Sequence, residues 1–313
     1  RKRARAAFQL RLRNCPGVVV TDGPLGVGAS IAVRMRRLPP SPELARLDTA
    51  WELPDGTQLV DMLEFYRYLR QIRLGFWYRF VPDTVNEEWI AARRHWSAVV
   101  RDHIEYAGYD TPYFVALDAE RGVLTPNAMQ AYNRWCMARE TYDPPVRETV
   151  WCEGGKDALR ALVDAWAAPG SGGGAGGRGG AGGPIVWYHS RAIEEWASEA
   201  YGEGRVYPAG GQPPAYAANV PVFVSLAHKT GWNAENGSTA FARALVLEPP
   251  TSERQIEQLL ARHHRRGQTA DRVIFDLVGS DADYHVLHAR CTAVHELSAA
   301  PQRFCLATRL DTP

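Results

Sequence analysis

The chain has 313 residues, 45% of them apolar and 23% charged, with a formal net charge of +1. These are the proportions of an ordinary globular protein, long enough for two compact domains or one with a large insertion. A charge so near zero excludes nucleic-acid binding through a global field, so any such role must come from local patches.

No apolar run reaches the length a bilayer requires, and the N-terminal "RKRARAAFQLRLR" is basic without the apolar centre of a signal peptide. Five cysteines (Cys15, Cys136, Cys152, Cys291 and Cys305) without a C-x-x-C read as free thiols in a reducing, cytoplasmic compartment. Beginning at Arg1 rather than Met, the chain reads as a fragment.

In chain order, "PGVVVTDGP" (Pro16 to Pro24) is a buried-strand run. From about Glu43 to Arg139 the texture is helical and rich in Trp, Tyr, Arg and Glu. "WELPDGTQL" predicts a Pro-Asp-Gly turn between short extended pieces. "VDMLEFYRYLRQIRLGFWYRF" and "NEEWIAARRHWSAVVRDHIEYAG" read as amphipathic helices. Trp77, Tyr78, Arg79, Trp89, Arg93, Arg94 and Trp96 mix aromatics with arginines, either as helix packing or as a stacking surface for single-stranded nucleic acid. Arg93 and Arg94 are the better binding candidates.

"PGSGGGAGGRGGAGGP" (Pro169 to Pro184) is expected to be a disordered spacer, because so many glycines lose maximal backbone entropy on ordering. Beyond it, strands and helices alternate: "PIVWY", "SRAIEEWASEAYG" with Ser190 as N-cap, "RVYP", "NVPVFVSL", "ARALVLE", "SERQIEQLLARHHRR", "DRVIFDLVG" and "SDADYHVLHARCTAVHEL". Near-continuous apolar strands between helices predict a parallel sheet covered on both faces, an α/β fold.

The helix "EQLLARHHRRGQ" carries the chemistry. Gln258, Arg262 and Arg265, at i, i+4 and i+7, share a stripe, while Ile256, Leu259, Leu260 and His263 face the other way. Gly267 is placed to end the helix. Guanidinium has no lone pair for a metal, and adjacent His263 and His264 diverge by about 100°. The stripe is therefore a solvated basic face or a pair of planar donor forks for phosphate. His288, Cys291 and His295 share another stripe, either packing on the sheet or, less naturally, ligating zinc without a fourth ligand.

The pattern Gln258-x-x-Ala261-Arg262-x-His264-Arg265-x-Gly267-Gln268 resembles the sixth motif, Q-x-x-G-R-x-H-R-x-G-Q, of Swi/Snf-type superfamily-two helicases and translocases, phage-type members included. Ala261 stands where that motif has glycine. "GWNAE" (Gly231 to Glu235) resembles the fifth motif, with Ser225, Thr230, Gly231 and Asn233 at matching or near-matching places; Lys229-Thr230, Ala234 and Glu235 depart from it. "PIVWYHS", ending in His189 and Ser190, fits the fourth-motif strand.

The resemblance implies a RecA-like second helicase lobe over residues 146–313, with the Gly-rich insertion at 169–183. It implies a helical insertion over 43–145 and the C-terminal remnant of a first RecA-like domain over 1–42. It implies Arg262 and Arg265 as arginine fingers, and Gln258, Gly231, Asn233 and Gln268 as nucleotide contacts. Ser225, Lys229, Thr230, His189, Arg93 and Arg94 become candidate nucleic-acid contacts. ATP and Mg²⁺ are the implied cofactors, held mainly by an upstream RecA-like lobe, and DNA the implied partner.

No G-x-x-x-x-G-K-[ST] and no Asp-Glu dipeptide occur; Gly154-Gly155-Lys156 is followed by Asp157. The chain alone is therefore expected not to hydrolyse ATP. The alternative is a catalytically silent nucleic-acid-binding or assembly module that keeps a RecA-like shell.

Overall fold

The computed structural model describes residues 28–59, 62–109, 112–168, 184–211, 220–229, 241–265, 268, 270–297 and 302–310. The run Pro16 to Pro24 and the spacer 169–183 lie outside them. The chain divides into one unit of residues 1–76 and 151–313 and a second of residues 77–150.

Among the described residues of the first unit, seven strands form one sheet: β1 (Ser30–Arg36), β4 (Ile185–Tyr188), β5 (Val206–Tyr207), β6 (Val222–Ser225), β7 (Arg243–Val246), β8 (Arg272–Val278) and β9 (Thr308–Leu310). Their order is β5-β6-β4-β7-β8-β1-β9, and every pairing is parallel. This is the parallel α/β sheet expected from the apolar strand runs. Such strands must be covered on both sides, and the burial follows that rule.

On one face Trp187, Val224, Val246, Phe275 and Leu277 pack with Ile256, Leu259 and Leu260 of α8 (Glu253–His263), Tyr284, Leu287 and Cys291 of α9 (Asp281–Leu297), and Phe304 of α10 (Arg303–Leu306). On the other face lie α6 (Gly155–Ala167), whose Trp166 indole N–H reaches Asp276 of β8, and α7 (Arg191–Tyr201), whose Trp196 meets Phe223 edge-on. Ser190 caps α7 as expected, its Oγ accepting from Ile193 N at 3.4 Å.

One expected boundary differs. Residues 30–36 do not stand apart as the tail of a preceding lobe; they pair residue by residue with 272–278, inside this sheet. A buried ion pair fixes the join. Arg34 donates to both oxygens of Asp276, Nε at 2.7 Å and Nη2 at 2.9 Å, and Arg36 Nε adds a third bond at 2.9 Å.

Residues 42–73 also belong to this unit, as α1 (Pro42–Ala50) and α2 (Met62–Arg73). The Pro-Asp-Gly turn forms between them, with Glu52 bridging Gln58 and Asp55 accepting from Thr57 N at 3.0 Å. α2 is tied to the loop after β7 and to the first turn of α9, because Arg70 donates to Pro249 O and Arg73 to Asp283. It stops short of the helix expected through "GFWYRF". Gly75 takes φ +82°, and Phe76–Phe80 becomes strand β2.

The second unit has a ribbon of β2 with β3 (Arg147–Trp151) and helices α3 (Glu87–Tyr106), α4 (Pro112–Glu120) and α5 (Pro126–Thr141). Trp89 packs edge-on to Trp135 at 5.2 Å, and Trp96 meets Tyr132 at 5.1 Å. Trp77, Trp89 and Trp96 are buried and Tyr78 is half-buried, so the three tryptophans of the proposed stacking surface are core. Arg79 pairs with Glu148.

Candidate functional site

α8 forms because its apolar residues recur at helical spacing and bury Ile256, Leu259, Leu260 and His263 completely. The same spacing leaves Gln258 and Arg262 half-buried on the remaining surface. The helix ends sooner than the sequence suggests. His263 is its last residue, and His264 leaves it at φ −90° and ψ 77°. Arg265 is therefore not on the helical stripe; it stands exposed in the following turn, with its carbonyl accepting from Gln268 N at 3.1 Å. Gly267 lies outside the described residues.

The early ending has two local causes. His264 turns inward and its Nε2 bonds Ala29 O at 2.8 Å, which a continued helix would not allow. Gln268 then closes the open end, its Nε2 donating to His263 O at 2.9 Å and to Phe241 O at 3.4 Å while its Oε1 accepts from Ala270 N at 3.1 Å. With both amide protons and the oxygen used on backbone, Gln268 is a cap here rather than a nucleotide contact.

Arg262 and Arg265 remain close enough to interact. Burial, and then the Arg265 charge, hold the Arg262 guanidinium below its usual range. Two cations at one helix end suit a multiply charged anion, which relieves their mutual repulsion. α8 also packs against the turn of residues 226–229 that follows β6, so the end of that strand and the arginine helix are neighbours.

Other expected contacts separate. Ser225 is buried, and its Oγ accepts from Ala227 N at 3.3 Å, an internal turn bond that withdraws it from direct contact with nucleic acid. Lys229 ends the short helix after β6; Thr230, Gly231 and Asn233 lie outside the described residues. His189 is exposed, but its backbone N–H and that of Ser190 both donate to Glu248 Oε2, at 2.7 and 2.6 Å. A carboxylate thus already faces the N-terminus of α7, so a phosphate there would meet like charge. Arg93 and Arg94, in the second unit, are exposed, with the Arg93 guanidinium 5.1 Å from the Trp89 ring.

The histidine–cysteine stripe of α9 is structural. Cys291 is fully buried, His288 stacks on Tyr284, and His295 Nδ1 accepts from Gln302 N at 2.9 Å. Among the described residues no group of three His, Cys, Asp or Glu side chains is placed to hold a metal ion, and no helix is long and apolar enough to cross a membrane.

No known family matches the sequence, and no curated protein does. Among solved structures, the C-terminal part of the Fun30 ATPase domain is similar at 12% identity and a TM-score of 0.34, over 82% of this chain and 88% of that one. Likeness at that level bears on neither residues nor activity.

Sequence reasoning missed Arg303. It is a half-buried residue that reaches α8 from 46 positions along the chain, with no local pattern to mark it.

Proposed function

We propose that this chain is the second lobe of an ATP-dependent DNA translocase or helicase of the Swi/Snf-type branch. The observation that supports it is the Gln258-to-Gln268 pattern, set on a helix whose apolar side is core and whose Arg262 stands in the last turn, three residues before Arg265. The phage-type subdivision adds nothing to this reading.

In this reading Arg262 and Arg265 reach the terminal phosphates of ATP bound mainly by a preceding lobe. They neutralise charge that grows on the phosphoryl oxygens, where positioned cations act most strongly. The paired guanidiniums fit a triphosphate. Mg²⁺ would be held by the preceding lobe rather than by the described residues of this chain, and would supply further positive charge toward the phosphates. The turn after β6 contacts the DNA backbone and α8 together, which would link DNA engagement to the arginines.

The test is DNA-stimulated ATP hydrolysis by the protein with its preceding lobe, beside the 313-residue chain alone. The longer protein turns over ATP and the chain alone does not. Arg262→Ala or Arg265→Ala lowers turnover by about 10³-fold while DNA binding falls less. Unchanged turnover in both variants would overturn the assignment. Salt-dependent DNA binding with no ATPase in the longer protein would favour a catalytically silent binding module.

A further inference from the structure

We infer that Arg303 and Glu257 are positioning residues for Arg262 and Arg265, a conclusion that rests on the phosphate-facing role just proposed. Three bonds converge. The Arg303 backbone N–H donates to Glu257 Oε2 at 2.7 Å, its Nη1 donates to Glu257 Oε1 at 2.6 Å, and its Nε donates to His264 O at 3.1 Å. One guanidinium therefore ties a side chain in the middle of α8 to the carbonyl just past its end.

The physics of a helix end explains why that matters. The last carbonyls of α8 have no partner within the helix and carry its negative pole. Leu260 O is taken by His264 N, His263 O by Gln268, and His264 O by Arg303. The His264 carbonyl belongs to the peptide that joins it to Arg265, so holding that oxygen sets the direction in which Arg265 departs. Arg262 and Arg265 repel, and an untethered turn would relieve the repulsion by swinging them apart. The tether is sheltered, with the two side chains 17% and 18% exposed, so solvent screens it less than a surface pair. It also fills both oxygens of Glu257, the carboxylate nearest to Arg262 in sequence, which then cannot compete with phosphate for the arginines.

The bonds differ in what replaces them. Lysine at 303 keeps a charge but cannot span the carboxylate and the carbonyl with a planar fork. Glutamine at 257 keeps one acceptor and loses the charge. A tether that positions a transition-state contact changes turnover and leaves ATP affinity nearly as it was.

The experiment uses the protein carrying its preceding lobe and measures steady-state DNA-stimulated ATP hydrolysis for Arg303→Ala, Arg303→Lys, Glu257→Gln and Arg262→Ala. Amide hydrogen exchange over residues 260–268 is measured in the same proteins. The expected result is a fall in kcat of about 10- to 100-fold in Arg303→Ala, with KM for ATP within about threefold. Arg303→Lys and Glu257→Gln should recover part of that loss, and exchange at 264–266 should quicken. If Arg262→Ala stops turnover while folded Arg303→Ala and Glu257→Gln keep kcat within about twofold, the positioning role is overturned and the finger role stands. If Arg262→Ala turns over normally, the finger reading itself has failed, whatever Arg303 does.

Discussion

The indole N–H of Trp187 donates to Nε2 of His263 at 2.9 Å, joining the interior strand β4 to the last residue of the arginine helix. An indole can only donate, so Nε2 is the lone-pair nitrogen and the ring proton sits on Nδ1. Both side chains are fully buried, and Phe275 meets the imidazole edge-on at 5.4 Å. Trp187→Phe should therefore cost more than its lost area, because it leaves a buried acceptor unsatisfied, about 1–3 kcal/mol. Urea unfolding of the chain measures it; an unchanged midpoint would show that the bond does not hold α8.

Asp276 is the second anchor. It is fully buried in the middle of β8 and accepts from Arg34, Arg36 and the Trp166 indole at 2.7–2.9 Å. Such a carboxylate is tolerated inside a protein because its oxygens are filled by charged and neutral donors. Asp276→Asn leaves two guanidiniums facing a neutral amide whose own N–H₂ must point at a donor. The expected cost is about 3–5 kcal/mol, read from denaturant midpoints. Since Arg34 lies in β1, strand 30–36 should lose exchange protection before the rest of the sheet. Uniform loss of protection would deny the carboxylate a special role in holding β1.

A third prediction concerns pH. Asp283 lies in the first turn of α9, and Ser280 and Asp283 cap each other: the Ser280 backbone N–H donates to Oδ2 at 2.7 Å and its hydroxyl at 2.6 Å, while Asp283 N donates to Ser280 Oγ at 3.2 Å. Burial alone would raise this carboxyl, but the Ser280 bonds and the Arg73 charge outweigh it and hold it below its ordinary value. A folded value below the unfolded one, about 3.9, means stabilisation present at neutral pH and lost as the pH falls through the folded value. Ser280→Ala should thus flatten the acid limb of a stability profile below about pH 5, with the larger deficit against wild type at the neutral end. Parallel profiles would remove Asp283 from acid unfolding.

These anchors explain which parts of the fold could be read from the sequence. β4, β6, β7 and β8 are apolar runs, and a run of Val, Ile, Leu and Phe has few places to go but a covered sheet. β1 was not legible, because Arg34 and Arg36 look like surface residues until Asp276, some 240 positions away, is known to face them. The strand "FWYRF" hid behind an amphipathic pattern that Gly75 interrupts. On α8, helical spacing puts Arg262 on the outer side and His263 in the core, and both side chains lie there. The same spacing extended the stripe too far at Arg265, because the inward turn of His264 depends on Ala29 O, a backbone atom no local pattern signals. Arg303 depends on a contact equally distant in sequence.

The glycines before Lys156 give the last prediction. Gly154-Gly155-Lys156 invites comparison with a phosphate loop, yet its geometry serves the backbone. Gly154 takes φ +66° as the N-cap of α6, and Gly155 lies against Gly75. A Cβ built on Gly75 would stand 2.6 Å from the Gly155 Cα, and one on Gly155 would strike the Gly75 backbone. Neither neighbour is a flexible side-chain tip, and Gly75 also holds φ +82° while its carbonyl accepts from Cys152 N at 2.8 Å. Relief would require the backbone at Gly75 and the first turn of α6 to move apart. Gly155→Ala, in a residue whose φ is ordinary, isolates the contact from backbone strain, and it should destabilise the chain by about 1–3 kcal/mol, as forced overpacking does. Gly154→Ala, with open space around its Cβ, should cost about 1 kcal/mol through the left-handed φ alone. Thermal unfolding of the two variants separates the causes: a larger loss at Gly154 than at Gly155 would mean that φ, and not the close approach to Gly75, governs this corner.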